Sequence, residues 1–206
     1  MHQRLPPGGL YAITDGPRPD LLQVVEAALR GGAALLQYRD KTQDHARRIE
    51  EARALRALAA RHAVPLIVND DVELAAAIDA AGVHLGESDG NFAAARARLG
   101  AGAIIGVSCY DSLARARLLA AAGANYLAFG AFHPSPTKPN AARATVELLR
   151  EAKALGLPVV AIGGITPDNA PPLLAAGADF LAAVSGVFAG ADPAQAAQRY
   201  AALFTK

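Results

Sequence analysis

An alternation narrows the fold more than anything else in this chain. Eight short apolar runs, at 10–14, 35–39, 66–69, 83–86, 104–109, 126–130, 159–163 and 180–185, are separated by longer segments with helical periodicity. Each run is brief and rich in Val, Ile, Leu or aromatic residues, and too continuous for a strand with one wet face. Such runs suit parallel strands buried on both faces. A glycine followed by a small residue precedes every second run, at Gly32-Ala33, Gly82-Val83, Gly123-Ala124 and Gly177-Ala178, at intervals of 50, 41 and 54 residues. Pro65 and Pro158 introduce strands three and seven. Eight uninterrupted strand–helix units predict an α/β fold, a single-domain (β/α)8 TIM barrel spanning residues 1–206. A doubly wound open sheet is the competing arrangement. It usually has fewer units and a Gly-rich turn after its first strand, where this chain has Thr14-Asp15-Gly16-Pro17 without the dinucleotide fingerprint.

The helices carry end signals. Asp20 is an expected N-cap with Gln23 at the capping-box position, and Gly31-Gly32 stops that helix. Thr166-Pro167 reads as a cap with proline in the first turn. The segment 44–62 sets its charges on one face and Ile49, Ala52, Leu55, Leu58 and Ala59 on another, so the charges read as a solvated surface.

Composition removes several function classes. Hydrophobic residues at 52% against 19% charged exclude a disordered chain. A net charge of +1 argues against a nucleic-acid or membrane-surface partner. Cys109 is the single cysteine, which excludes an internal disulfide and a thiolate zinc cluster. Residues 1–7 do not resemble a signal peptide, and no apolar run reaches the ~18 residues of a membrane span. The expectation is a cytoplasmic protein, with homo-oligomerisation left open.

Active sites of such barrels lie at the C-terminal ends of the strands. Those ends supply Gln37, Arg39 and Lys41 after strand two, Asn69-Asp70-Asp71 after three, and Glu87-Ser88-Asp89 after four. Ser108 ends strand five, and the loop His133-Pro134-Ser135-Pro136-Thr137-Lys138 follows six. Gly163-Gly164 and Ser185-Gly186 follow seven and eight. Residues at i, i+2 and i+4 of a strand share a face, so Gln37, Arg39 and Lys41 project to one side while Tyr38 and Asp40 project to the other. That pattern is either an anion grip or a solvated strand end that happens to be charged. Of only four lysines, Lys41 and Lys138 both fall in these loops, while the opposite strand ends read as Gly, Ala and Pro. Three cations suit a polyphosphate. Asp70 and Asp89, each alone equally an N-cap, together suit Mg²⁺. The glycine steps after strands seven and eight occupy the usual phosphate-binding place. His133 reads as a solvated loop histidine, His84 as structural, and Cys109 as packed on the far side of its strand.

Seven segments in register resemble the thiamine phosphate synthase family along nearly the whole chain. They are Gln37-Tyr38-Arg39-Asp40-Lys41, Val68-Asn69-Asp70-Asp71, Val83-His84-Leu85-Gly86 with Asp89, Gly106-Val107-Ser108, Phe129-Gly130 through Lys138, Ala161-Ile162-Gly163-Gly164-Ile165, and Val184-Ser185. The resemblance implies a barrel enzyme that joins hydroxymethylpyrimidine diphosphate to a thiazole phosphate, releasing pyrophosphate with Mg²⁺. It implies that Gln37, Tyr38, Arg39, Asp40, Lys41, Asn69, Ser108 and Lys138 bind the pyrimidine diphosphate, and that Asp70 and Asp89 hold the metal. Ser135, Pro136, Thr137, Gly163, Gly164, Val184 and Ser185 would bind the thiazole phosphate. Arg39, Lys41, Lys138 and Ser108 form the implied catalytic set. Glu87 stands where the family often has glutamine, Ser135 where threonine is common, and Pro136 is an uncommon loop residue. Two alternatives are a thiazole tautomerase paralogue, whose catalytic histidine would fall near Ala131, and a non-catalytic phosphate-ligand sensor.

Overall fold

All eight apolar runs form parallel strands in a computed structural model that describes residues 4–88, 90–134 and 143–205. The strands are β1 (Gly9–Ile13), β2 (Ala33–Tyr38), β3 (Leu66–Asn69), β4 (Gly82–Leu85), β5 (Ile104–Tyr110), β6 (Tyr126–Phe129), β7 (Val159–Ile162) and β8 (Phe180–Ala183). Each pairs with the next in sequence and β8 returns to β1, closing the barrel. The helices between them are α1 (Leu21–Arg30), α2 (His45–Arg61), α3 (Val72–Ala77), α4 (Phe92–Leu99), α5 (Leu113–Ala121), α6 (Val146–Lys153) and α7 (Pro171–Ala175). The short α8 (Ser185–Phe188) and then α9 (Pro193–Ala201) follow β8. No described helix is long and apolar enough to cross a membrane.

The strands start their helices with side-chain caps. Asp44, Asp71, Asn91, Ser112, Thr145 and Asp192 each accept a backbone N–H in the first turn of α2, α3, α4, α5, α6 and α9. Two expected caps are absent. Asp20 makes no capping bond to α1, because Arg18 holds its carboxylate through Nε at 2.6 Å and Nη2 at 3.1 Å. Thr166 opens a turn closed by reciprocal bonds with Asn169, and α7 begins only at Pro171.

Closure sorts every strand residue to the axis or to the helix layer. Tyr11, Ile13, Leu35, Ile67, Ile104, Tyr126, Val160 and Phe180 pack on the axis. Their chain neighbours Leu10, Ala12, Leu36, Tyr38, Val68, Cys109 and Leu127 pack against the helices. Cys109 thus faces outward as expected, and burial pushes its thiol up to about 12. The axis has little spare room. Gly106 pairs with Tyr126 across β5 and β6, and the Tyr126 ring occupies the space a Cβ at 106 would take.

Gly106→Ala therefore overpacks the barrel axis, at a cost of about 1–3 kcal/mol. In a domain of this size that lowers Tm by about 3–10 °C, read by scanning calorimetry. Leu22→Ala, on the exposed face of α1, moves Tm by less than about 2 °C.

Candidate active site

A cavity of about 240 Å³ opens at the C-terminal ends of the strands, and every strand or its following loop contributes to its wall. Its sides follow from the pleat. At the end of β2, Gln37, Arg39 and Lys41 line the cavity, while Tyr38 and Asp40 turn outward. Thr14 stitches this strand end to β1, its Oγ1 accepting from Arg39 N at 2.8 Å and donating to Arg39 O at 3.1 Å. The Arg39 guanidinium has no hydrogen-bond or ion-pair partner among the described residues.

The two outward residues are anchored behind the wall. Tyr38 donates its hydroxyl to Glu51 at 2.7 Å, and burial together with that carboxylate pushes its phenol far above the ordinary range. The Asp40 side chain is 0% exposed, accepts Thr42 N at 2.7 Å and pairs with Arg47 Nη2 at 2.8 Å. Burial alone would raise its carboxyl. The Thr42 backbone and hydroxyl and the Arg47 guanidinium outweigh that and hold it below the usual carboxylate range.

Lys41 reaches across the rim to form an ion pair with Asp70. Asp70 sits just past β3 at φ 63, where its N–H donates to His84 O at 2.9 Å. That left-handed turn puts Asp70 on the cavity wall beside Asn69. Ser108, on β5, places its Oγ 2.9 Å from His84 Nε2. On the other side, Gly163 and Gly164 have φ of 102 and 62, and a Cβ at Gly164 would strike the carbonyls of Pro134 and His133. Val184, just past β8, and Ser185, the first residue of α8, complete that wall. Asp89, Ser135, Pro136, Thr137 and Lys138 lie outside the described residues. No cluster of three or more His, Cys, Asp or Glu side chains is gathered as a metal site among the described residues. Asp70 is the acidic residue they bring to the cavity wall.

Three residues, Tyr11 and His84 on the wall and Tyr126 buried beneath it, were not read from the sequence as functional. Tyr11 and Tyr126 look like core aromatics, and His84 like a structural histidine. The structure joins them through their polar atoms between Gln37 and Ser108. Their signal was parity: each stands at an inward position of its strand. His133 is not solvated at its Nε2, which is buried with no hydrogen-bond partner among the described residues.

A family model described as thiamine monophosphate synthase matches residues 10–187. The chain belongs to the thiamine monophosphate synthase family. It is 58% identical over 200 residues to a thiamine-phosphate synthase of Xanthomonas campestris pv. campestris (strain 8004), covering 96% of each chain. To a thiamine-phosphate synthase of Azoarcus sp. (strain BH72) it is 58% identical over 199 residues, covering 95% of this chain and 97% of the other. A solved thiamine phosphate pyrophosphorylase from Pyrococcus furiosus superposes with a TM-score of 0.84 at 35% identity, covering 93% of both chains. Membership in the thiamine monophosphate synthase family makes the chain an enzyme of the transferase class in thiamine biosynthesis.

The anchored back of β2 yields a test. A depressed folded carboxyl contributes stability that is full above the unfolded value of about 3.9 and is lost as pH falls through the folded one. Asp40→Asn is expected to cost about 1–3 kcal/mol at pH 7, the loss of a buried charge-assisted pair. In urea titrations the gap between variant and parent should close as pH falls below about 4.

Proposed function

We propose that the chain, acting as one catalytic domain in the cytoplasm, joins hydroxymethylpyrimidine diphosphate to hydroxyethylthiazole phosphate, giving thiamine phosphate and pyrophosphate. One observation carries the reading. The cations of the β2 end, the Asp70 carboxylate and the Gly163-Gly164 turn converge on a single cavity. Two anionic substrates therefore have separate grips within reach of one another.

In this reading Arg39 and Lys41, with Lys138, bind the diphosphate, and Gln37, Asn69 and Ser108 hold the pyrimidine. Gly163, Gly164, Val184 and Ser185, with Ser135, Pro136 and Thr137, bind the thiazole phosphate. Tyr38 and Asp40 act from behind, keeping the strand end that carries Arg39 and Lys41 in place.

Magnesium fits the residues present. It is commonly held by one or two carboxylates plus substrate phosphates rather than by a full protein cage. Asp70, on the cavity wall beside Lys41, suits that role, and Asp89 is the proposed second carboxylate. When bound, Mg²⁺ neutralises charge on the leaving diphosphate.

Loss of pyrophosphate leaves a resonance-stabilised pyrimidine methyl cation, and the thiazole nitrogen captures it. That nitrogen brings its own lone pair, so no protein base is needed. The protein supplies charge for the leaving group and alignment of the two rings. Arg39 and Lys41 give the charge; Gln37, Ser108 and the glycine turn give the alignment.

The assay mixes both substrates with Mg²⁺ and follows thiamine phosphate and pyrophosphate. Arg39→Ala is expected to lower kcat by about 10²–10³-fold, the usual effect of removing one transition-state charge partner. Exhaustive chelation is expected to abolish turnover, and full activity without divalent metal would sink the magnesium assignment. Binding of both substrates without coupling would overturn the proposed reaction.

A further inference from the structure

Below the charged rim, five side chains from five strands form one unbroken hydrogen-bond chain. Gln37 Nε2 donates to the Tyr11 hydroxyl at 2.6 Å, and the Tyr11 and Tyr126 hydroxyls lie 2.8 Å apart. The Tyr126 hydroxyl is 2.9 Å from His84 Nδ1, and His84 Nε2 is 2.9 Å from Ser108 Oγ. The rings are held in place. Tyr11 meets Tyr126 edge-on at 90°, and His84 stacks on Tyr126 at 17°. Gly106 leaves the Tyr126 ring its space.

Each hydroxyl has one proton to give, and a neutral imidazole has one donor and one acceptor nitrogen. If every buried hydroxyl is to find an acceptor within it, the chain takes a direction. The Gln37 amide gives its proton to Tyr11, so Tyr11 gives to Tyr126 and Tyr126 to Nδ1. With the imidazole neutral, its proton then sits on Nε2 and goes to Ser108. Two groups remain for the cavity: the Gln37 carbonyl oxygen, an acceptor, and the Ser108 hydroxyl proton, a donor. We propose that this relay sets the hydrogen-bond polarity of the heterocycle pocket, making Tyr11, Tyr126 and His84 positioning residues that select an aminopyrimidine over the oxopyrimidine of the same shape.

The selection follows from the two free ends. An aminopyrimidine offers an exocyclic N–H to Gln37 and a bare ring nitrogen to Ser108. The oxopyrimidine turns a carbonyl oxygen toward the Gln37 oxygen and carries a ring N–H. Flipping the Gln37 amide to suit it would set the amide oxygen against Tyr11. The protons of Tyr11 and Tyr126 and the imidazole tautomer would then have to reverse together. The mismatched ligand therefore either leaves like groups facing one another at Gln37 and Ser108 or requires the whole chain to reverse, and the site rejects it on that ground.

This inference rests on the proposed pyrimidine diphosphate substrate, and the experiment separates the two. Kd is measured by calorimetry for the amino- and oxo-forms of hydroxymethylpyrimidine diphosphate with Mg²⁺, beside turnover with thiazole phosphate. Wild type should bind the amino form at least about 100-fold tighter. In Tyr126→Phe the Tyr11 hydroxyl is free to turn toward Gln37, so the amide flips without cost and the ratio falls to within about tenfold. Tyr11→Phe frees Gln37 directly and gives the same reading if Tyr126→Phe does not fold. A folded variant that weakens both ligands alike, leaving the ratio unchanged, shows a merely structural role and overturns the relay, as does wild type binding both forms equally. Selective binding with the expected collapse, but without turnover, counts against the reaction and supports the relay.

Discussion

A closed parallel barrel gives each strand residue two choices, the axis or the helix layer, and offers no edge as a third. Everything at this site descends from that division. At the end of β2 it sends Gln37, Arg39 and Lys41 inward and leaves Tyr38 and Asp40 outside. The outward pair is not idle. Asp40 takes the Thr42 amide and the Arg47 guanidinium, and Tyr38 takes Glu51, so the strand end is tied to α2 from behind. A cation intended for a phosphate must not find a carboxylate on its own strand. Parity keeps Asp40 from serving that function and gives it Arg47 instead.

The cavity is consequently layered by charge. Its rim holds Arg39, Lys41 and Asp70, partly wet and formally charged. The Lys41–Asp70 pair is more than half exposed on the lysine side, so it adds little stability and gives way readily when a stronger anion arrives. Deeper, Tyr11 and Tyr126 are fully inside, and burial drives both phenols far above their ordinary range, so the layer stays protonated. A diphosphate suits the upper layer and an uncharged heterocycle the lower one.

The barrel was legible in the sequence because its signals repeat: eight apolar runs, Gly-small steps at every second unit, and polar strand ends. Strand limits moved by one or two residues because hydrogen bonding, not the apolar run, sets them: it stops early at Tyr38 and Ala183, begins early at Ala33 and runs on to Tyr110. The Asp20 cap failed for a reason no cap rule contains, since Arg18 two residues away competes for the carboxylate. The cations and Asp70 were legible as a set. The relay was not, because its five members lie on five strands with no shared spacing, and Tyr11, His84 and Tyr126, which join Gln37 to Ser108, each read alone as ordinary core residues. Only closure of the barrel brings Tyr11 and Tyr126, 115 positions apart, to 2.8 Å.

A five-member proton chain inside an enzyme invites reading as a proton wire, and the proposed chemistry argues otherwise. A wire needs a titratable group at each end, one to take the proton and one to release it. This chain ends in an amide at Gln37 and an alcohol at Ser108, neither of which changes charge near neutral pH. Its two phenols are moved further from titration by burial, not nearer to it. The proposed reaction also asks for no proton, because the attacking nitrogen arrives with a lone pair and the leaving group departs as an anion. What the reaction does need is a ring held in one orientation while charge moves away from it. A chain whose protons must all reverse together resists turning at either end, and that is the property orientation requires.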